Sequence, residues 1–238
     1  MTLQNDSLTV DVVPQLAGRA LRISHKATGQ TVTAYDVRKG LFYPFSGGLE
    51  ERIGTSATAF GWVEPAGAGA VTARSVTVTS TTFDGAGLKR TYTLDPVAPV
   101  LHVETTVTNT GTASSSVVPR AHLELDLGDL HQTRMAFTQR SGAKVDEDMT
   151  ATIAGMREGR HFYDQDAPAG TWTFSGTKGL KVTQTFDDAG TDSTWVYAYP
   201  ETLNEVEVEV WAKARTLQPG ESMAVTRDLR VEVAGPFR

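Results

Sequence analysis

From Ala121 onward, apolar and polar positions trade places at every step. Ala121, Leu123, Leu125 and Leu127 fall on one side, and His122, Glu124 and Asp126 on the other. Successive side chains of an extended strand face opposite ways, so this stretch predicts a strand with one apolar and one chemically equipped face. The purest case is Asn204–Lys213, where Val206, Val208 and Val210 oppose Glu205, Glu207, Glu209 and Trp211. Similar runs rich in Val and Thr recur over Leu8–Val13, Arg19–His25, Thr31–Tyr35, Ser75–Phe83, Leu88–Leu94 and Val100–Thr108. They return over Thr171–Phe174, Leu180–Phe186, Thr194–Tyr199 and Met223–Val233, with Gly, Pro, Asn and Asp marking the turns. No window carries a helical period. About fourteen or more strands follow from the alternation criterion, and that many without helices predict an all-β fold of two large antiparallel sheets or a barrel.

The remaining segments read differently. Leu41–Gly54 is aromatic, then glycine-rich, then charged, which predicts a loop or a bulged edge. Pro65–Ala70 reads as a loop within one domain, and Gly128–Gly170 as long loops with Ala136–Gln139 the best strand candidate. Asp146–Asp148 is expected in a solvated loop, and His25, next to Lys26 at a turn, is expected to be exposed. The turns show no fixed period, which argues against a propeller or solenoid, and residues 1–238 are read as a single domain, whether whole or excised from a longer chain.

Composition narrows the function classes. A length of 238 residues with 39% hydrophobic side chains is enough for a substantial core. A net charge of −6 argues against nucleic acid, which calls for a basic stripe. No polybasic run suits an anionic membrane, and no apolar run approaches the roughly 20 residues that span a bilayer. The absence of cysteine removes disulfides, thiolate nucleophiles and thiolate metal ligands. Met1–Ser7 has no basic stretch leading into an apolar one, so no signal peptide is expected there and a cytoplasmic location is favoured.

The chain has no phosphate-binding glycine loop, no His-Glu-x-x-His and no calcium loop, so no cofactor and no metal are expected. What remains is histidine, carboxylate and tryptophan on strands. His122 with one of Glu205, Glu207 or Glu209 could supply an acid and a base, and Trp211, Trp195 or Trp62 could offer a flat surface to a sugar ring. An acid and base acting on one ring are expected on the same face, about 5–8 Å apart with room for the ring between them. The competing reading makes His122 a structural hydrogen-bonding residue and the glutamate row a solvated sheet face.

Four stretches, taken in order, carry a likeness. They are Leu3–Ile23 with its Gly18 turn, Ser46-Gly-Gly-Leu-Glu50, Val103–Gly111 followed by the His122 strand, and Val208-Glu-Val-Trp211 followed by Leu217–Ser222 and a closing strand. In this order the chain resembles the galactose mutarotase-like (aldose 1-epimerase) superfamily. The resemblance implies a large antiparallel β-supersandwich with a carbohydrate ligand. It implies His122 as the acid that protonates the ring oxygen and Glu209 as the base at the anomeric hydroxyl, with Glu207 a rival on the same strand face. Arg19, Arg120, Trp211 and Trp62 would bind substrate. The family's histidine before the glycine pair is Ser46 here, and this leaves a non-catalytic carbohydrate-recognition or accessory domain as the alternative to an aldose epimerase.

Overall fold

The computed structural model describes residues 1–35, 47–54, 65–81, 85–154, 159–199 and 205–235. Its strands are β1 (Thr2–Gln4), β2 (Leu8–Val13), β3 (Arg19–His25), β4 (Gln30–Thr31), β5 (Gly48–Ile53), β6 (Gly67–Val71), β7 (Ser75–Thr81) and β8 (Ala86–Leu94). They continue with β9 (Val100–Asn109), β10 (Ser115–Val117), β11 (Pro119–Leu125), β12 (Arg134–Gln139), β13 (Lys144–Asp148) and β14 (Arg160–Tyr163). The last six are β15 (Pro168–Ser175), β16 (Leu180–Phe186), β17 (Thr191–Tyr199), β18 (Glu205–Ala212), β19 (Arg215–Leu217) and β20 (Ser222–Val233). A single helical turn, α1 (Thr150–Ala154), follows β13.

Two nine-stranded sheets take up almost all of these strands. One runs β1-β2-β3-β5-β11-β18-β17-β14 with β4 beside β3; the other runs β13-β12-β15-β16-β20-β9-β8-β7-β6. β10 and β19 make a separate two-stranded ribbon. The alternating residues close the space between the sheets. Ala121, Leu123, Leu125, Val206, Val208 and Val210 from the first meet Tyr92, Leu101, Trp172, Phe174, Val182 and Leu229 from the second in one core. Each fully buried Val or Leu contributes about 1.5–3 kcal/mol relative to exposure, which is why the period of two decides the layering. The all-β, two-sheet antiparallel expectation is thus what the chain adopts.

Several local expectations change. Gly48–Ile53, expected as loop or bulged edge, is a fully buried strand in the middle of the first sheet. Its alternation is masked because Glu51, a charged residue, stands on the core side between Leu49 and Ile53. Gly67–Val71, expected as loop up to Ala70, is an exposed edge strand whose glycines and alanines give no side-chain signal. Asp146–Asp148 belongs to edge strand β13, where Arg134 pairs with Asp146 at 2.7 Å. Thr31–Tyr35 supplies only the end of β4 and an isolated bridge from Thr33 to Leu125. His25 is buried, its Nδ1 3.2 Å from the Thr28 hydroxyl.

Glu51 also explains a break in the core. From the opposite sheet Arg227 forms an ion pair with it and Arg90 lies close by, all three almost completely buried. Arg90 also donates to the Ala17 carbonyl, and the Tyr92 hydroxyl to that of Gly18 at 3.0 Å. This charged layer separates the main core from a satellite cluster of Ile53, Ala86, Leu88, Val107, Val117 and Leu217. Breaking a buried pair strands the surviving charge, so Arg227→Ala is expected to cost about 3–5 kcal/mol, whereas Glu51→Leu with Arg227→Met recovers most of it. Urea unfolding of the two variants checks this, and a loss below about 1 kcal/mol for Arg227→Ala would count against it.

Candidate active site

The face of the first sheet turned away from the core is assembled by register. Across β5, β11, β18, β17 and β14, one row reads Glu50, His122, Glu209, Trp195, His161. The neighbouring rows read Arg52, Arg120, Trp211, Ser193, Tyr163 on one side and Gly48, Glu124, Glu207, Tyr197 on the other. Strand pairing therefore brings residues 50 and 209 to either side of one imidazole. Arg19 joins the rows from β3, pairing with Glu50 and donating to the Gly47 carbonyl at 2.8 Å.

The strand carrying Glu50 enters through two glycines that no other residue replaces easily. Gly47 and Gly48 have φ of +72° and +87°, and a Cβ on them would lie 2.1 Å from the Ala34 carbonyl oxygen and 2.7 Å from that of Ala20. Only glycine combines this φ with so close an approach of backbone to backbone.

Almost everything on this half of the face is buried. Arg19, Glu50, Arg52, Arg120, His122, Glu124, Glu205, Glu207 and Glu209 are all at most 8% exposed, so the glutamates of β18 do not form a solvated face. Both ring nitrogens of His122 meet carboxylates. Nε2 is hydrogen-bonded to Glu207 and lies 3.9 Å from Glu209, while Nδ1 lies 3.3 Å from Glu50 and 3.7 Å from Glu124. A neutral imidazole offers one N–H, so a ring flanked this way is suited to the doubly protonated form. Burial and Arg52 push its pKa down, but Glu207 and Glu50 outweigh them and raise it to about 9.

The carboxyl groups divide into two kinds. Burial would raise Glu50, yet Arg19, the His122 hydrogen bond and Arg52 hold it down at about 2. Glu209 is raised, chiefly by burial, although His122 and Arg120 oppose the shift. Glu124 is raised well above the ordinary value by burial, and among the described residues neither of its oxygens has a hydrogen-bond partner. Arg52 itself falls to about 10, mainly through burial. The site thus holds a permanent anion, an imidazolium and protonatable carboxyls within a few ångströms. That is the equipment of proton transfer.

His122, Glu207 and Glu209 place ligand atoms within 4.8 Å of one another, a spacing that could converge on one divalent cation. The second oxygen of Glu209 is already taken by the Trp211 indole N–H at 2.5 Å and by Arg120 at 3.5 Å. Three guanidinium groups supply positive charge, and this donor set suits protons better than a metal ion.

Of the residues singled out from sequence, His122, Glu209, Arg19, Arg120 and Trp211 come together on this face. Trp62 and Ser46 lie outside the described residues. His122 and Glu209, expected as acid and base 5–8 Å apart across a ring, stand side by side at 3.9 Å because their strands are direct neighbours. Sequence reasoning passed over Glu50 and Arg52 with the strand that carries them, and His161 and Tyr163 on the edge strand β14. The alternation of Glu50 and Arg52 was the available signal, concealed by Glu51 between them.

No family model and no curated protein matches the chain. Solved structures do. A galactose mutarotase-like protein from Lactobacillus casei ATCC 334 is 11% identical over 98% of this chain and 99% of its own, with a TM-score of 0.71. An aldose epimerase homologue from C. elegans is 11% identical over 99% of both chains, at 0.72. A TPR-domain containing protein from Parabacteroides distasonis ATCC 8503 is 17% identical, at 0.73, over all of this chain but 47% of its own. The chain therefore has the galactose mutarotase-like fold. Among the described residues no helix is long and apolar enough to cross a membrane.

The His122 shift has a sign that can be measured. Its folded pKa of about 9 lies above the ordinary 6.5, so its contribution to stability is full below 6.5 and lost as pH rises through 9. Thermal melting of the protein is expected to fall over that window, and the fall to flatten in His122→Gln. Glu124→Gln, which keeps the shape of a carboxyl whose ionisation burial already disfavours, is expected to change stability by less than about 1 kcal/mol, against about 3 kcal/mol for Glu207→Gln. Equal losses in the two glutamine variants would contradict this division.

Proposed function

We propose that this face binds an aldose and exchanges its anomers, within one β-supersandwich domain. The observation that carries the reading is His122, flanked by carboxylates on both ring nitrogens and set 3.9 Å from Glu209. The ring oxygen and the anomeric hydroxyl of an aldose are bonded to the same carbon, so an acid and a base side by side reach both from one edge of the ring. His122 gives its proton to the ring oxygen and Glu209 takes that of the anomeric hydroxyl. The ring opens, rotation about the bond to the first carbon presents the other face, and the reverse transfers close it. The raised pKa of Glu209 strengthens it as a base. Glu207 holds the imidazole in place, and Glu50 balances the charge. Arg120, whose guanidinium lies 5.0 Å from the Trp211 ring, and Arg19, which pairs with Glu50, are the candidates to bind hydroxyls. The mutarotase-like and aldose epimerase names of the structural neighbours support the same substrate class.

A second reading, carbohydrate recognition without turnover, draws on two observations. The tight hydrogen bond to Glu207 hinders proton release from His122, and the same fold forms about half of a TPR-domain containing protein.

Anomerisation followed by polarimetry or NMR over a panel of aldoses decides between them. His122→Ala and Glu209→Gln are each expected to slow the reaction by about 10²–10⁴-fold. Rates unchanged in both variants would remove the assignments, and sugar binding with no exchange in the native protein selects recognition.

A further inference from the structure

The charged layer between the two sheets lies directly behind the His122 row. Arg227 stands on β20 in register with Val103 and Phe186, both core residues, so its side chain points towards the first sheet. There it meets two strands at once. Its guanidinium pairs with Glu51 on β5, and Nη2 donates to the Val210 carbonyl on β18 at 3.4 Å. β5 and β18 are not neighbours, because β11 runs between them. The register row that Arg227 spans is Glu51, Ala121, Val210, and its middle member carries only a methyl group, which leaves the guanidinium room.

The next row along the same strands is Glu50, His122, Glu209. Successive strand residues face opposite ways, so one stretch of backbone carries the Arg227 contacts on its core side and the imidazole on the other. Those contacts fall on the two strands whose carboxylates flank the ring, Glu50 at 3.3 Å from Nδ1 and Glu209 at 3.9 Å from Nε2. Sheet pairing holds β5 firmly from one side only. It is in register with β11 over six residues, but with β3 at the single pair Ala20 and Leu49. Leu49 and Ile53 anchor it by apolar burial, which has no direction. Glu51 adds a directional tie to the opposite sheet. The same sheet also reaches behind Arg19, the partner of Glu50. Arg90 donates to the Ala17 carbonyl and the Tyr92 hydroxyl to that of Gly18 at 3.0 Å, just ahead of Arg19 in the chain.

We propose that Arg227 is a positioning residue of the His122 site: from the opposite sheet it holds β5 and β18 at the separation that sets Glu50 and Glu209 against the imidazole. It touches neither substrate nor reacting atoms. A guanidinium suits this task because its rigid fork donates in two directions, which an ammonium on a flexible stem does not. The effect on rate rests on the anomer-exchange reading above, whereas the effect on His122 needs no ligand.

Two variants test it. Glu51→Leu with Arg227→Met removes both contacts without stranding a charge, and its urea midpoint is expected close to the native one. Opposite charges leave together, so their direct fields at His122 largely cancel. The His122 titration, followed by NMR of the imidazole in ligand-free protein, is expected to move from about 9 towards the ordinary 6.5 as Glu50 draws away. Anomer exchange is expected to slow by about tenfold or more through kcat, with KM little changed. Arg227→Lys keeps the charge opposite Glu51 and loses the reach to Val210. It is expected to retain the fold and to show both changes in smaller degree, and it decides the matter if the double variant does not fold. A His122 titration or a kcat that stays native in the folded variants overturns the inference and leaves the anomer-exchange reading standing. If the native protein exchanges no anomers, that reading falls by itself, and the titration alone then decides the role of Arg227.

Discussion

A guanidinium taken out of water must be met by a carboxylate, and this requirement organises the first sheet. Glu50 meets it most directly. It pairs with Arg19, lies 3.3 Å from Arg52 and 3.3 Å from the His122 ring, and is itself fully buried. The imidazole is then positioned from both sides, by Glu50 across one strand boundary and by the β18 carboxylates across the other. The two like charges Arg52 and Arg120, which face each other in register, are tolerable only because Glu50 and Glu209 flank them. The sheet supplies geometry through its pleat, and the charge pairs determine which side chains can occupy that geometry.

The two faces were not equally legible in the sequence. Valines 206, 208 and 210 announced a core-facing strand, and the same alternation placed Glu209, Glu207 and Trp211 together on the other side. What alternation could not reveal was that this other side is also buried, because a row of glutamates looks the same whether it faces water or arginine. The Glu50 strand was hidden for a related reason. Its core-side member is charged, and its partner Arg227 lies 176 residues away in the opposite sheet, beyond the reach of any local pattern. His161 and Tyr163 gave a weak signal because β14 has only four residues, too few for a period to show.

The face divides along β18. Towards β3 it is ionic, buried and crowded with paired charge. Towards β14 it is aromatic and opens to solvent. Trp211 belongs to both halves, since its indole donates to Glu209 while its ring faces Arg120 on one side and His161 on the other. The face thus presents aromatic surface to solvent at β14 and keeps its concentrated charge buried towards β3.

The alternation of β18 has one more consequence. Sliding this strand by one residue against β11 would carry three glutamates into the core and three valines among the arginines. In most sheets one side faces water and forgives part of such an error; here both sides are closed. The pairing of His122 with Glu209 is therefore enforced twice, by oil on one surface and by charge on the other. Substitutions among these glutamates therefore disturb the packing of the sheet and the charge pairing around His122 together.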